Sequence, residues 1–204
     1  MGIKSFFIKQ IAKLVYRIVH HPAYVKLEKE EIDKLRRSFK SFGDPYFIME
    51  PYMIKKPQYI SIGSNFSALF NLRLEAWDEY EGQKFKPELI IGDNVCFNSD
   101  CHIGCINKVT IGNNVLLASR VYISDHFHGE INEELKMIPP TKRKLFSKGP
   151  VIIEDNVWIG EGVCIMPDVT IGKNSIIGAN AVVTKSVPPN SVIAGIPAKI
   201  LKSL

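Results

Sequence analysis

The chain has 204 residues, a formal net charge of +5 and 46% apolar residues. That composition can bury a core in one domain plus an appendage, and it excludes a disordered or collagen-like chain. No apolar run reaches membrane-crossing length and no signal-peptide cleavage pattern opens the sequence, which places the chain in the cytoplasm. Cys96, Cys101, Cys105 and Cys164 lack zinc-ribbon spacing and read as reduced thiols there, and no nucleic-acid partner is expected.

The first 45 residues differ in kind from the rest. Ile3, Phe7, Ile11, Leu14 and Ile18 recur at helical spacing, with Lys4, Lys9, Lys13 and Arg17 marking a basic face. Such a helix could lie on an anionic inner membrane or cap a repeat domain. A second helix with mixed charges is expected from Tyr24 to Phe39. The domain proper is expected over 46–204.

A weak repeat begins near Ile62-Gly63. Ile91, Phe97 and Ile103 are spaced by six; after a slip of two residues the spacing resumes through Ile111, Leu117 and Ile123. The longest run is Ile153, Ile159, Ile165, Ile171, Ile177 and Val183. Two positions before each stands a small or β-branched residue: Val151, Val157, Val163, Val169, Ser175 and Ala181. An α-helix cannot hold period six on one face, and chance strands of a sandwich would not give six consecutive matches. A parallel β-helix does: each hexad is a short strand and a bend, and three hexads close one coil. Gly, Asn and Asp take the bends, where positive φ costs least. The fold class is an all-β solenoid with a short N-terminal helical appendage.

Continued hexads would place aliphatics at 129, 135, 141 and 147, where Gly129, Leu135, Thr141 and Ser147 stand. The coil therefore opens after Ile123, and a polar, basic loop over 124–150 intervenes. A long loop thrown from a rigid scaffold is commonly functional. This one opens with Asp125-His126-Phe127-His128. Histidine titrates near neutral pH and suits a general base.

The hexads resemble the hexapeptide-repeat acyltransferases over about residues 60 to 204, and the likeness implies a left-handed β-helix. "SDHFHG" (124–129) looks like the loop of bacterial O-antigen and capsule O-acetyltransferases. It is less similar to the galactoside and maltose acetyltransferases, whose catalytic His precedes Pro. In both groups the matching histidine is His126, as base for direct acetyl transfer from acetyl-CoA to a sugar hydroxyl. The acceptor implied is a surface polysaccharide or its precursor. Asp125 could orient His126, although adjacent side chains on an extended segment diverge. Asn98, in "FNSDCHIG", matches an asparagine that contacts the acceptor and positions the base. His128, and Arg73 with Glu75 in "NLRLEAW", fall on the acceptor side.

Trp158, Gly160 and Glu161, in "DNVWIGEG", match the neighbourhood of the thioester arm, with backbone N–H groups of Gly160-Glu161 as oxyanion donors. Ala179, Thr184, Lys185 and Lys199 match the CoA contacts, the lysines suiting phosphates. "VVTKSVPPN" and "AGIPAKI" mark the end of the coil in this family. The family's trimers set each active site between neighbouring chains, and its chemistry needs neither a metal nor a cysteine nucleophile. A xenobiotic, small-sugar or amino-sugar acetyltransferase uses the same base chemistry. A γ-type carbonic anhydrase would need three histidines in a set pattern; the chain offers only His102, His126 and His128 near the repeat, and the closely spaced pair does not fit it. A non-catalytic scaffold would leave the His126 loop without a purpose.

Overall fold

The computed structural model describes residues 33–130 and 135–203, together with residues 11, 14–16 and 30. Most of the reading of residues 1–30 lies outside these. Residues 14–16 and 33–38 are helical, and the chain divides into two units at Ser38/Phe39.

The second unit is mostly β, built of three parallel sheets that the chain visits in rotation. Ile60–Ile62, Glu88–Ile91, Lys108–Ile111, Val151–Ile153 and Thr170–Ile171 stack in sheet 1. Phe66–Ala68, Cys96–Phe97, Leu116–Leu117, Trp158–Ile159 and Ile176–Ile177 stack in sheet 2. Leu72–Ala76, His102–Cys105, Tyr122–Ser124, Cys164–Ile165 and Val182–Val183 stack in sheet 3. The hexad aliphatics meet in register across coils. Ile62, Ile91, Ile111, Ile153 and Ile171 form one column, and Leu74, Ile103, Ile123, Ile165 and Val183 another. All are buried, so the inward faces of the sheets form an apolar core.

From the second coil on, the bend between sheets 1 and 2 is the same. Asn65, Asn94, Asn114, Asn156, Asn174 and Asn190 sit there with φ of 56–59°. Asparagine tolerates this left-handed conformation. Each side-chain amide donates to the carbonyl oxygen of the asparagine in the next coil, at 2.9–3.1 Å. Beside them Gly63 and Gly92 pack so closely that a Cβ would lie 2.6 Å from the backbone or a side chain of the next coil. Glycine is therefore required by the stacking distance.

The β unit begins at Phe39, earlier than the expected residue 46. Ser41–Phe42, Tyr46–Ile48 and Tyr52–Lys55 make a first coil that pairs with the next. Its inward residues Phe42, Ile48 and Ile54 keep the spacing of six, but an aromatic heads the row and Pro45, Pro51 and Pro57 interrupt it. Phe42 sits edge-on between Phe39 and Tyr46, with ring centroids 4.9 and 4.8 Å apart.

The corner between sheets 3 and 1 is irregular. Successive coils there carry the hairpin Glu79–Tyr80/Gln83–Lys84, the two-residue slip at Ile106-Asn107, and the 125–150 loop. The loop is pinned to itself where Phe127–His128 pairs antiparallel with Leu145–Phe146.

Candidate active site

The three irregular coils converge on one cavity of about 370 Å³. Arg73, Glu75 and His102 line it from sheet 3, Trp77 and Tyr80 from the hairpin side, and His126 and His128 from the loop.

His126 stands at the end of its sheet 3 strand with its side chain 13% exposed. Its ring lies over Gly104, where an added Cβ would be 3.3 Å from the imidazole Cε1. Asp125 is fully buried, and its Oδ1 lies 2.9 Å from His126 Nδ1. The expectation that adjacent side chains diverge fails here because the chain leaves the strand at this point. The carboxylate turns inward onto the two-residue slip, where the N–H groups of Ile106 and Asn107 donate to it at 3.0 and 2.8 Å. Ser124 closes the turn: its Oγ accepts from the His126 N–H at 3.2 Å and donates to the His126 carbonyl at 3.0 Å. The Asp125 carboxylate can only accept, so in the neutral ring His126 Nδ1 carries the proton and Nε2 is the acceptor.

A second cluster shares the cavity. Arg73 Nη2 reaches both oxygens of the buried Glu75 at 3.1 Å, and His102 Nε2 lies 2.9 Å from Glu75 Oε2. Burial pushes the Glu75 carboxyl up, but hydrogen bonds from Arg73 and His102 outweigh it and hold the group below the usual range. Burial pushes the His102 imidazole down against the raising effect of Glu75. The edge of the His128 ring meets Tyr80 at a centroid distance of 5.4 Å, and the Tyr80 hydroxyl donates to the Thr141 carbonyl at 2.8 Å.

Of the residues expected to act, Arg73, Glu75, His126 and His128 line this cavity together with Asp125 behind them. Asn98, Gly160, Glu161 and Ala179 do not; they lie at the corner between sheets 2 and 3, a strand's length from His126. Trp158 projects from sheet 2 and is 50% exposed. Thr184 and Lys185 are exposed just after the sheet 3 strand Val182–Val183, and Lys199 is exposed on the terminal strand Ala198–Ser203. The Gly160 N–H donates to the Ile177 carbonyl at 2.8 Å, so the stacking consumes it and it cannot serve as an oxyanion donor. The Glu161 and Ala179 N–H groups have no such bond among the described residues. The Glu161 side chain pairs with Arg120.

Tyr122 and Gly104 were missed in the sequence, and His102 was considered there only for a zinc site. Arg73, His102 and Tyr122 each stand just before an inward residue of sheet 3, namely Leu74, Ile103 and Ile123, in coils that later break. That position in the hexad could have found them. Burial pushes the Cys101 thiol up to about 12 and Cys105 well up, so neither is a ready thiolate nucleophile. Among the described residues, no group of three His, Cys, Asp or Glu side chains could hold a metal ion. None of their helices is long and apolar enough to cross a membrane.

A carboxylate-held imidazole over a cavity serves many hydrolases as well as transferases; likeness to known proteins narrows the choice. Residues 150–185 match the family described as bacterial transferase hexapeptide (six repeats). The chain is 41% identical over 156 residues to WbbJ of Escherichia coli K12, named as a lipopolysaccharide biosynthesis O-acetyl transferase; the match spans 74% of this chain and 76% of that one. It is 34% identical over 192 residues to the galactoside O-acetyltransferase of the same strain, spanning 94% and 76%. A maltose O-acetyltransferase from Clostridium difficile 630 superposes with a TM-score of 0.60 at 29% identity, over 97% of this chain and 84% of that one. A galactoside acetyltransferase in complex with coenzyme A gives 0.59 at 31%, over 94% and 78%. With its stacked hexads and identity of this extent, the chain belongs to the hexapeptide-repeat acyltransferases and is an acetyltransferase.

Proposed function

We propose that the protein is a left-handed β-helix that transfers acetyl from acetyl-CoA to a sugar hydroxyl of a surface polysaccharide or its precursor, with His126 as general base. The observation that carries this reading is the buried Asp125 carboxylate bound to His126 Nδ1 over the cavity. His126 Nε2 takes the hydroxyl proton as the sugar oxygen attacks the thioester carbonyl. The tetrahedral oxyanion collapses, the C–S bond breaks, and the coenzyme A thiolate takes the proton back from the imidazolium. Asp125 holds the ring and stabilises its charged form, and no covalent enzyme intermediate is needed.

Asn98, Trp158, Glu161 and Ala179 stand apart from His126 within one chain. This separation favours a homotrimer in which a neighbouring chain brings them to the cavity. The Glu161 N–H then serves the oxyanion, the Ala179 N–H and Trp158 the pantetheine arm, and Thr184, Lys185 and Lys199 the CoA phosphates. Exposed Ile11, Leu14 and Val15, with the basic residues between and beside them, suit contact with the anionic cytoplasmic face of the inner membrane, where a lipid-linked acceptor would be met.

The test is a melting curve with acetyl-CoA, then thiol release with a carbohydrate panel. A ligand bound only to the folded state at a hundred times its Kd stabilises by about 2.7 kcal/mol. A clear shift and acceptor-dependent thiol release, lost by about 10²- to 10⁴-fold in His126→Ala, are expected. No shift at saturating acetyl-CoA would contradict the reading.

A further inference from the structure

The cavity wall carries two carboxylate-held imidazoles, and the reaction needs one base. His102 has no part in the transfer step, yet it lines the cavity beside His126 with its side chain 26% exposed. His126 follows the neighbouring strand, and its ring lies over the strand that carries His102. Gly104, under the His126 ring, is two residues from His102 on the same outward face, a separation of about 6.6 Å along a strand. Tyr122, the neighbour of His102 in the next coil, meets its ring edge at 5.2 Å and restricts its rotation.

The chemistry of the cluster fixes the tautomer. Glu75 is an anion engaged by Arg73 on both oxygens, and a carboxylate only accepts. The contact at 2.9 Å therefore puts the proton on His102 Nε2. In the neutral ring Nδ1 is then an acceptor, and it has no hydrogen-bond partner among the described residues. Burial and the positive charge of Arg73 oppose protonation of this ring, while Glu75 favours it; the balance is downward, which keeps the acceptor available. His102 lines the cavity and its Nδ1 is not among the buried unpartnered atoms, so a ligand hydroxyl can reach this acceptor beside the base.

We propose that His102 is a positioning residue for the acceptor: its Nδ1 accepts a hydrogen bond from the hydroxyl next to the one that is acetylated, so the enzyme selects sugars with a vicinal diol at the reaction site. This rests on the acetyltransferase reading of the cavity. Arg73 and Glu75 act through His102 by holding its tautomer, and His126 takes the proton of the second hydroxyl.

Two measurements test it. Nitrogen-15 NMR of the imidazoles in the full chain at pH 7 reads the tautomer without any substrate. A protonated Nε2 and a bare Nδ1 on His102 are expected; a proton on Nδ1 would overturn the proposal. The second uses thiol release with the best acceptor of a panel of methyl hexopyranosides and with its monodeoxy derivatives. His102→Phe, which keeps a ring of similar shape, should lower kcat/KM by about tenfold, chiefly through KM, the loss of one hydrogen bond. Deleting the neighbouring hydroxyl should cost the wild type the same factor and cost His102→Phe nothing further. Independent, multiplying losses would contradict the assignment. If His126→Ala keeps the wild-type rate, the general-base reading has failed; if His126→Ala is dead and His102→Phe is unaffected, only the present proposal has.

Discussion

Two corners of the same prism follow opposite rules. Between sheets 1 and 2, inward residues are six positions apart in every coil, from Ile62–Ala68 to Ile171–Ile177, and asparagine fills the left-handed position. Between sheets 3 and 1 the step is seventeen positions from Leu74 to Ile91, eight from Ile103 to Ile111, and thirty from Ile123 to Ile153. Only from Ile165 to Ile171 does it return to six. The first corner satisfies its bends coil on coil through amide bonds and leaves nothing for a substrate. At the second, extra residues leave backbone donors without a partner in the stack, and those donors become the site. The N–H groups of Ile106 and Asn107 hold Asp125, and Asp125 holds His126. Regularity supplies a rigid wall, and its repeated failure at one edge supplies the chemistry.

That contrast can be broken from either side. Ile159→Ala strikes the regular stack at a fully buried position. It should lower unfolding stability by about 2–5 kcal/mol in denaturant melts, while the rate per folded molecule stays near wild type. Gly104→Ala strikes the site alone. Its methyl would press on the His126 ring, where the contact is 3.3 Å, and the ring must give way. A loss of about ten- to hundredfold in kcat is expected, with an unchanged melting temperature. Asn114→Ala breaks two rungs of the amide ladder at φ 56°. It should cost about 1–2 kcal/mol in a thermal melt and leave kinetics untouched.

The smallest effect concerns acid. Glu75 is held below its ordinary value of 4.5 in the folded chain, so the stability it contributes is complete above that value. It is lost as pH falls from 4.5 toward the lower folded-state value. Glu75→Gln lacks this contribution, so the difference in melting temperature between wild type and variant should shrink as the pH is lowered through that window. A difference that stays constant would show that Arg73 and His102 do not hold the carboxylate.

The regular parts of the molecule were legible in the sequence because hexad spacing is a direct consequence of stacking. The run of six from Ile153 to Val183 needs nothing beyond the residues themselves. The first coil went unread although Phe42, Ile48 and Ile54 keep the spacing of six, because an aromatic heads the row and Pro45, Pro51 and Pro57 interrupt it. His126 was visible because it stands where the period stops. The slip after Ile103 was equally visible, but its purpose was not. Only in three dimensions does it lie beside Asp125, nineteen positions ahead of Ile106. The Gly160 N–H was assigned to the oxyanion from a motif, and the structure gives it to the Ile177 carbonyl of the next coil, while the adjoining Glu161 N–H has no such bond among the described residues. Family likeness named His128, Arg73 and Glu75 without their contacts. His102 was weighed only as one of three histidines for a zinc site and was given no part in acetyl transfer, because a single outward histidine in a β-rich repeat resembles any surface residue until its partners are seen.

The most direct test is a double-mutant cycle on Asp125 and His126, reading kcat/KM for acetyl transfer in the wild type, Asp125→Asn, His126→Ala and the double variant. If the irregular corner exists to hold one base, Asp125→Asn loses about ten- to hundredfold alone, and the double variant is no slower than His126→Ala. Losses that multiply would mean that Asp125 acts apart from His126 and that the corner was not built to hold it.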